Sequence, residues 1–155
     1  MANKVDSAPQ TIHFLAGNFD VEIDCPHVKP KSFFTAAAGL SASISVIEKT
    51  MATKDGKVYT AKYAGVAEYS EVTLKRNLTT DKGFWLWLKD IRDGKKDFRH
   101  SGSIVLYGSD GTETGRWTFD NAWPSKLSAS DLDASSDDLI TEEITLQIEM
   151  LKRTK

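Results

Sequence analysis

The chain has 155 residues, enough for one domain that buries roughly 70% of its unfolded surface without disulfides or metals. Hydrophobic residues make up 40% and charged residues 27%, and the net charge of −2 gives no long-range attraction for nucleic acid. Cys25 is the only cysteine, so an intrachain disulfide is excluded and a reducing compartment is favoured.

The N-terminal segment is polar. Residues 1–11 contain Pro9 and lack the apolar run of a signal peptide, and we expect them to form a mobile arm. No stretch approaches the ~20 apolar residues of a transmembrane helix, so insertion of the chain into a membrane is not expected. These features predict synthesis and assembly in the cytoplasm.

Strand periodicity begins at residue 19. Apolar and acidic residues alternate over residues 19–25, which predicts a half-buried strand that Pro26 ends. A second extended run starts at Phe33, and Gly39 allows it to bend. Beyond the bend the chain alternates again, with one face expected to pack on the core (Leu40, Ala42, Ile44, Val46) and a polar face opposite (Ser41, Ser43, Ser45).

Residues 48–66 show no core pattern. Asp55-Gly56 is typical of a hairpin turn, and lysines and tyrosines alternate around it. A structureless segment of this length in a compact domain is usually functional. We therefore predict an extended hairpin or loop that becomes ordered against another subunit, with these interface candidates: Met51, Lys54, Lys57, Tyr59, Tyr63 and, from the next strand, Arg76.

A change of period over residues 72–92 predicts a strand followed by a helix. Asn77 is expected to end the strand with a positive φ, and Thr79, Thr80 or Asp81 to cap the helix. Beyond the cap, Phe84, Leu88 and Ile91 recur at helical spacing, and Gly94 stops the helix.

The remainder of the chain is predicted to be β-structure. Residues 103–107 and 115–120 form two strands around a turn at 109–111, and Pro124 marks a corner. After a polar loop at 128–138, one long last strand is predicted over residues 140–150. Its apolar face is interrupted by Glu142, which we expect to face water or a neighbouring subunit, and its polar face carries Thr141, Glu143, Thr145 and Gln147.

These elements predict one mainly β (α+β) domain over residues 1–155. About six or seven strands would form a β-sheet body with one helix packed against it. The core candidates are Phe84, Trp87, Leu88, Trp117, Phe119 and Trp123.

Patterns for catalysis or metal binding are weak. The three histidines (His13, His27, His100) are scattered and lie near no nucleophile elbow, and Cys25-x-His27 has no second ligand pair. Residues 131–142 match the spacing of an EF-hand loop, but Ser136 replaces its glycine and no helices flank it. We therefore expect no catalytic residue, no metal and no cofactor.

Nucleic-acid binding is a weaker interpretation of the hairpin. Its lysines and tyrosines suit base stacking, yet the chain carries no recognised module. Contact with protein explains the same residues, because tyrosine is enriched at interfaces.

Five segments together resemble a known family. They are FDVEI (19–23), AAGLSASISVIE (37–48), VTLKRNLTTDKGFWLWLKDI (72–91), GSIVLYGSDGTETGRWTFDNAWPSKL (102–127) and SDLDASSDDLITEEITLQIE (130–149). In this order they resemble the tube proteins of contractile phage tails and related contractile injection systems. One departure is Asn77, where the family commonly has glycine; asparagine also reaches left-handed geometry, so the turn is expected to survive.

The resemblance implies an inner tube of stacked hexameric rings inside a contractile sheath. It also implies a fold like that of the type VI secretion tube protein, which is a small antiparallel β-barrel or sandwich with one packed helix and a long extended hairpin that reaches towards a neighbouring ring. It implies as partners further copies of the chain, a sheath protein, baseplate or spike proteins and tube-terminating proteins. Protein cargo would pass through the lumen, and nucleic acid only in a phage tail. The lumen candidates are Ser41, Ser43, Ser45, Thr141, Glu143, Thr145 and Gln147.

Two alternatives stay open at the level of sequence. The chain could be a ligand-binding β-barrel whose two helix tryptophans and Trp117 line a pocket, or a small hydrolase that uses Glu142 or an aspartate of residues 131–138. Core packing is the simpler use of the tryptophans.

Overall fold

The computed structural model describes residues 16–30 and 32–155. The predicted arm, residues 1–11, lies outside this part of the chain. The elements are β1 (Phe19–Ile23), β2 (Ala36–Ala38), β3 (Ala42–Ala52), β4 (Val58–Tyr69), β5 (Val72–Asn77), α1 (Gly83–Arg92), β6 (His100–Tyr107), β7 (Glu113–Ala129), β8 (Thr141–Gln147) and β9 (Met150–Arg153). None of the helices in the described residues is long and apolar enough to cross a membrane.

All strand pairs are antiparallel, which confirms the predicted fold class. Seven strands follow the order β1-β6-β7-β8-β5-β2, with β9 beside β7, and β3 and β4 form a separate two-stranded sheet. The 17-residue strand β7 joins two sheets, because its first half pairs with β6 and β9 and its second half with β8. Asn121, with φ of +54°, lies at the corner between the two halves.

The prediction of one long C-terminal strand is wrong. Residues 140–150 contribute to two strands, β8 and β9, that follow the same edge of β7 on either side of its corner. At the break, the Glu149 N–H donates to the Asp120 carbonyl at 3.1 Å. Because the chain must follow the corner, Ile140 and Met150 are half-exposed while Ile144 is fully buried.

Helix α1 closes the core through two aromatic side chains. Phe84 and Trp87 are fully buried, and the Trp87 indole N–H donates to the Phe98 carbonyl at 2.6 Å. Phe119 is also fully buried, whereas the other three core candidates, Leu88, Trp117 and Trp123, are only partly buried.

The turn into α1 differs from the prediction. Asn77 has no positive φ; it ends β5 still paired with Thr141, because the ladder with β8 continues to that residue. The N-cap residue is Lys82, whose side chain makes no capping hydrogen bond. The Asp81 carboxylate, one residue earlier, accepts the Gly83 N–H at 2.9 Å. Gly83 permits this entry, since a Cβ there would lie 2.3 Å from the His27 carbonyl oxygen.

Glu142 and Arg76 form a buried ion pair, so two surface predictions are wrong. The two residues lie directly opposite each other on β8 and β5, with Arg76 Nε 2.8 Å from Glu142 Oε2 and side-chain exposures of 4% and 1%. Arg76 also contacts the Asp81 carboxylate at 3.3 Å, and its guanidinium lies 5.0 Å from the centroid of the Phe84 ring. The pair therefore ties both strands to the start of α1 and is unavailable to a neighbouring subunit.

Breaking this pair is expected to be costly. Arg76→Met leaves the Glu142 carboxylate buried without its partner, which should lower the free energy of unfolding by about 3–5 kcal/mol, and adding Glu142→Leu should recover most of that loss. Urea unfolding followed by circular dichroism measures both variants. The matched control is Lys75→Met, which breaks the exposed Lys75–Glu143 pair at 3.3 Å and should cost about 1 kcal/mol or less. Equal losses for Arg76→Met and Lys75→Met would contradict this account.

Candidate assembly surfaces

Strands β3 and β4 form a long hairpin that pairs with no other strand in the described part of the chain. Its turn is closed by the Thr53 N–H donating to the Lys57 carbonyl at 2.8 Å, and Gly56 supplies a φ of +76°. The strands have 11 and 12 residues, so the hairpin is about 35 Å long at ~3.3 Å per residue.

The hairpin is longer than the predicted segment 48–66. Of the expected core face, Leu40 packs against the core, but Ala42, Ile44 and Val46 do not. Ile44 and Val46 belong to β3 and are 54% and 61% exposed. Alternation correctly predicted a strand there, but the strand lies away from the core.

One face of the hairpin carries a cluster that we call the hairpin cluster: Ile47, Met51, Tyr59 and Tyr63. Ile47 pairs with Tyr63 and Met51 with Tyr59, and both tyrosine hydroxyls donate to the Met51 sulfur, at 3.5 and 3.8 Å. Each of the four side chains is still 41–50% exposed. Contiguous exposed apolar side chains of this kind mark interaction sites.

The other face is also uncovered. Val46 and Val58 are more than 60% exposed there, beside a surface pair of Lys62 and Glu48 at 3.4 Å. Near the base, a bulge places Gly65 against Ser45, whose Oγ accepts the Val66 N–H at 2.9 Å. Bulges increase the local twist of a strand pair, so this one sets the direction in which the hairpin projects.

The predicted interface residues divide into two groups. Met51, Tyr59 and Tyr63 belong to the hairpin cluster, and Lys54 and Lys57 are exposed at the turn. Arg76 is buried and lies outside this surface.

The predicted lumen residues lie on two different elements. Thr141, Glu143, Thr145 and Gln147 share the outer face of β8, opposite the buried Ile144 and Leu146, whereas Ser43 and Ser45 belong to the hairpin and Ser41 lies at its base. On β8, the Gln147 amide donates to Glu71 and Ser125 at 3.0 and 3.1 Å. Thr145 is only 8% exposed, so its predicted lumen position is wrong for the subunit, whereas Thr141, Glu143 and Gln147 form an exposed or partly exposed polar face.

The histidines have structural contacts. His27 Nε2 lies 2.7 Å from Asp90 Oδ2, and His100 packs edge-on against the Trp87 ring at 5.5 Å. His13 lies outside the described residues. Cys25 is buried, and burial raises the pKa of its thiol, so it is a poor nucleophile at neutral pH.

The acidic residues of the hydrolase alternative do not lie together in one site, and neither do the tryptophans of the ligand-binding alternative. Asp133 Oδ1 accepts the Ser135 N–H and hydroxyl at 2.9 and 2.7 Å, while Glu142 is paired with Arg76. Within residues 16–30 and 32–155 no three His, Cys, Asp or Glu side chains are grouped to hold a metal. The three tryptophans of the ligand-binding alternative are separated, with Trp87 in the core, Trp85 exposed and Trp117 beside an open groove of about 430 Å³.

Several solved structures have a fold similar to this one. A chain of the PVC sheath-tube complex in the extended state has a TM-score of 0.76 at 23% identity, covering 92% of this chain and 91% of that chain. A chain of the anti-feeding prophage tube-terminating cap has a TM-score of 0.79 at 22% identity, covering 100% and 99%. Hcp1 from Flavobacterium johnsoniae has a TM-score of 0.51 at 14% identity, covering 88% and 94%. No curated protein matches the chain.

This structure therefore belongs to the mainly β tube-protein fold class, and its hairpin projects from the body. Residues 15–152 match the model of the T4-like virus tail tube protein gp19 family, and the chain belongs to that family. The family resemblance stated from the sequence is confirmed.

The salt bridges of Asp90 predict a pH dependence of stability. Lys95 and His27 each lie 2.7 Å from its carboxylate, and they hold the pKa of Asp90 below its ordinary value of 3.8. A depressed folded-state pKa stabilises the fold above the unfolded value, and this contribution is lost as the pH falls through the lowered pKa. Asp90→Asn should therefore be less stable than the wild type at pH 7, with the difference shrinking below about pH 4.

Urea unfolding at several pH values measures this difference. Asp55→Asn at the hairpin turn is the control and should leave stability nearly unchanged at every pH. A wild-type advantage over Asp90→Asn that grows as the pH falls from 5 to 3 would show that the sign is wrong.

Proposed function

We propose that this tail tube protein is a structural subunit of the inner tube of a contractile injection system or contractile phage tail. Copies would form hexameric rings that stack inside a sheath and enclose a lumen for cargo, and the subunit itself would carry no catalytic activity. The observation that carries the proposal is the hairpin β3–β4, which has uncovered apolar residues on both faces in a chain of the tail tube family.

The hairpin supports assembly through its shape and composition. An isolated two-stranded ribbon is marginally stable in water, so its exposed side chains favour a partner that covers them. A projecting element that binds a different surface of the next copy makes a head-to-tail contact, which closes into rings or continues as a filament. We propose that the hairpin cluster lies against a neighbouring copy, with Lys54 and Lys57 at its tip.

The partners follow from the same proposal. Similar chains occur in structures of a sheath-tube complex, a tube-terminating cap and a baseplate. We propose that this chain likewise contacts a sheath protein, terminator proteins and a baseplate or spike. Protein cargo would occupy the lumen, and nucleic acid would do so only in a phage tail.

The outer face of β8 is the proposed lumen wall. It is polar along its length, and its Glu143 is paired with Lys75, so it offers little apolar or unpaired charged surface to moving cargo. The lumen position of Ser41, Ser43 and Ser45 stays a prediction, and Ser43 and Ser45 lie on β3 near the hairpin cluster.

Shortening the hairpin should abolish assembly without unfolding the body. Deleting residues 51–62 leaves the paired Ile47 and Tyr63 joined by residues 48–50, a normal hairpin loop length. We expect a folded monomer by circular dichroism and light scattering, and no tubes by electron microscopy. The control is Lys54→Gln, which keeps the hairpin. Tubes of wild-type length from the deletion variant would refute the role of the hairpin.

The lumen assignment can be tested by chemical labelling. Glu143→Cys is introduced with Cys25→Ser, and assembled tubes are treated with a small maleimide or with one carrying a polymer too large for the lumen. We expect the small reagent to label the tubes and the large one to label only dissociated subunits. Val58→Cys on the exposed hairpin is the comparison position. Full labelling of Glu143→Cys tubes by the large reagent would place β8 on the outside.

A further inference from the structure

A second uncovered surface lies on the solvent side of α1. While Phe84 and Trp87 are buried, Trp85 and Leu86 are 47% and 42% exposed. Lys82 at the helix start and Lys89 lie three or four positions from this apolar pair, and Arg92 lies three positions beyond Lys89, so the exposed cations flank the pair on the same side. The α1 outer face therefore consists of Lys82, Trp85, Leu86, Lys89 and Arg92.

The loop between β7 and β8 has the opposite character. Residues 130–140, the acidic loop, contain four aspartates and no cation, and Leu132 and Leu139 are 78% and 74% exposed. Hydrogen bonds from Ser135 lower the pKa of Asp133, so this carboxylate stays charged at neutral pH. The loop thus offers exposed leucines surrounded by negative charge.

The fold keeps the two surfaces apart within one chain. The acidic loop leaves the sheet where Ala129 pairs with Glu142, and α1 begins at that same end through Asp81 and Arg76. Farther along the ten-residue helix, the Trp87 indole N–H donates to the Phe98 carbonyl. The Phe98 ring packs against Trp123, which pairs with Gln147 at the other end of β8. The last turn of α1, with Lys89 and Arg92, therefore lies towards the end of the sheet opposite the acidic loop.

Two complementary surfaces at different places on one molecule suit a head-to-tail contact between copies. Resting on the proposed tube function, we propose that the acidic loop of one copy docks on the α1 outer face of the next. Leu132 and Leu139 would cover Trp85 and Leu86, and the aspartates would lie beside the three cations. Each exposed ion pair adds little affinity, so the apolar contact provides the binding energy and the charges select the direction.

Disulfide trapping in assembled tubes tests this contact. Leu86→Cys and Leu132→Cys are combined with Cys25→Ser, and the tubes are oxidised and separated on a denaturing gel. We expect crosslinked dimers and higher multimers from the double variant and only monomers from either single variant. The control pairs Leu132→Cys with Val58→Cys of the hairpin. Crosslinking of this control pair alone would place the acidic loop against the hairpin and overturn the proposal.

Charge reversal provides a second, independent readout. Lys89→Glu with Arg92→Glu should lower tube yield at least about tenfold, as should Asp131→Lys with Asp133→Lys, because like charges would then face each other. Combining all four substitutions should restore tubes. If the α1 reversal leaves bare tubes unchanged and weakens only their binding to the sheath protein, the α1 outer face belongs to the sheath and the proposal fails.

The outcomes also separate this contact from the tube function itself. If the wild-type chain forms tubes and the double cysteine variant also assembles but shows no crosslink between positions 86 and 132, the contact is overturned and the tube function stands. A wild-type chain that never forms rings or tubes refutes the tube function, and with it this contact.

Discussion

Among residues 16–30 and 32–155, strands β3 and β4 pair only with each other, and this constraint leaves an uncovered ribbon beside the body. The ribbon is too narrow to bury its own side chains, so apolar residues stay in water on both of its faces. In the described part of the chain, the other seven strands and the helix form a core whose buried residues all lie outside the ribbon. Such an uncovered ribbon is expected when another copy of the chain covers its apolar side chains.

The body is built to hold the ribbon in a fixed direction. At its base, Gly39 adopts a φ of +91°, and a Cβ there would lie 1.9 Å from the Glu71 carbonyl oxygen, so the chain segments before and after the ribbon touch. Next to that base, β5 is locked to β8 and α1 through Arg76. Burying the Arg76 guanidinium costs solvation energy. Its contacts with Glu142 and Asp81 hold β5, β8 and the start of α1 in one relative position. A rigid base allows a long projecting ribbon to reach a defined place on a neighbour.

The cations of the α1 outer face and the aspartates of the acidic loop give the subunit two surfaces of opposite charge. The net charge of −2 conceals this separation, because it counts the cations of one surface and the aspartates of the other in a single sum. In the proposed contact the acidic loop and the α1 outer face are different surfaces, so copies joined through it would all add in one orientation.

The sequence by itself determined the strand and helix types, the hairpin turn at Asp55-Gly56 and the family, because these depend on local periodicity, turn residues and ordered motifs. Only the tertiary structure decided which alternating strands face a core. Ile44 and Ile144 have similar surroundings in sequence, yet one is 54% exposed and the other fully buried. Burial of Arg76 with Glu142 was likewise decided by the β5–β8 register, which brings together residues 66 positions apart. Periodicity reports that a strand has two different faces, whereas the pairing of distant strands determines what each face meets.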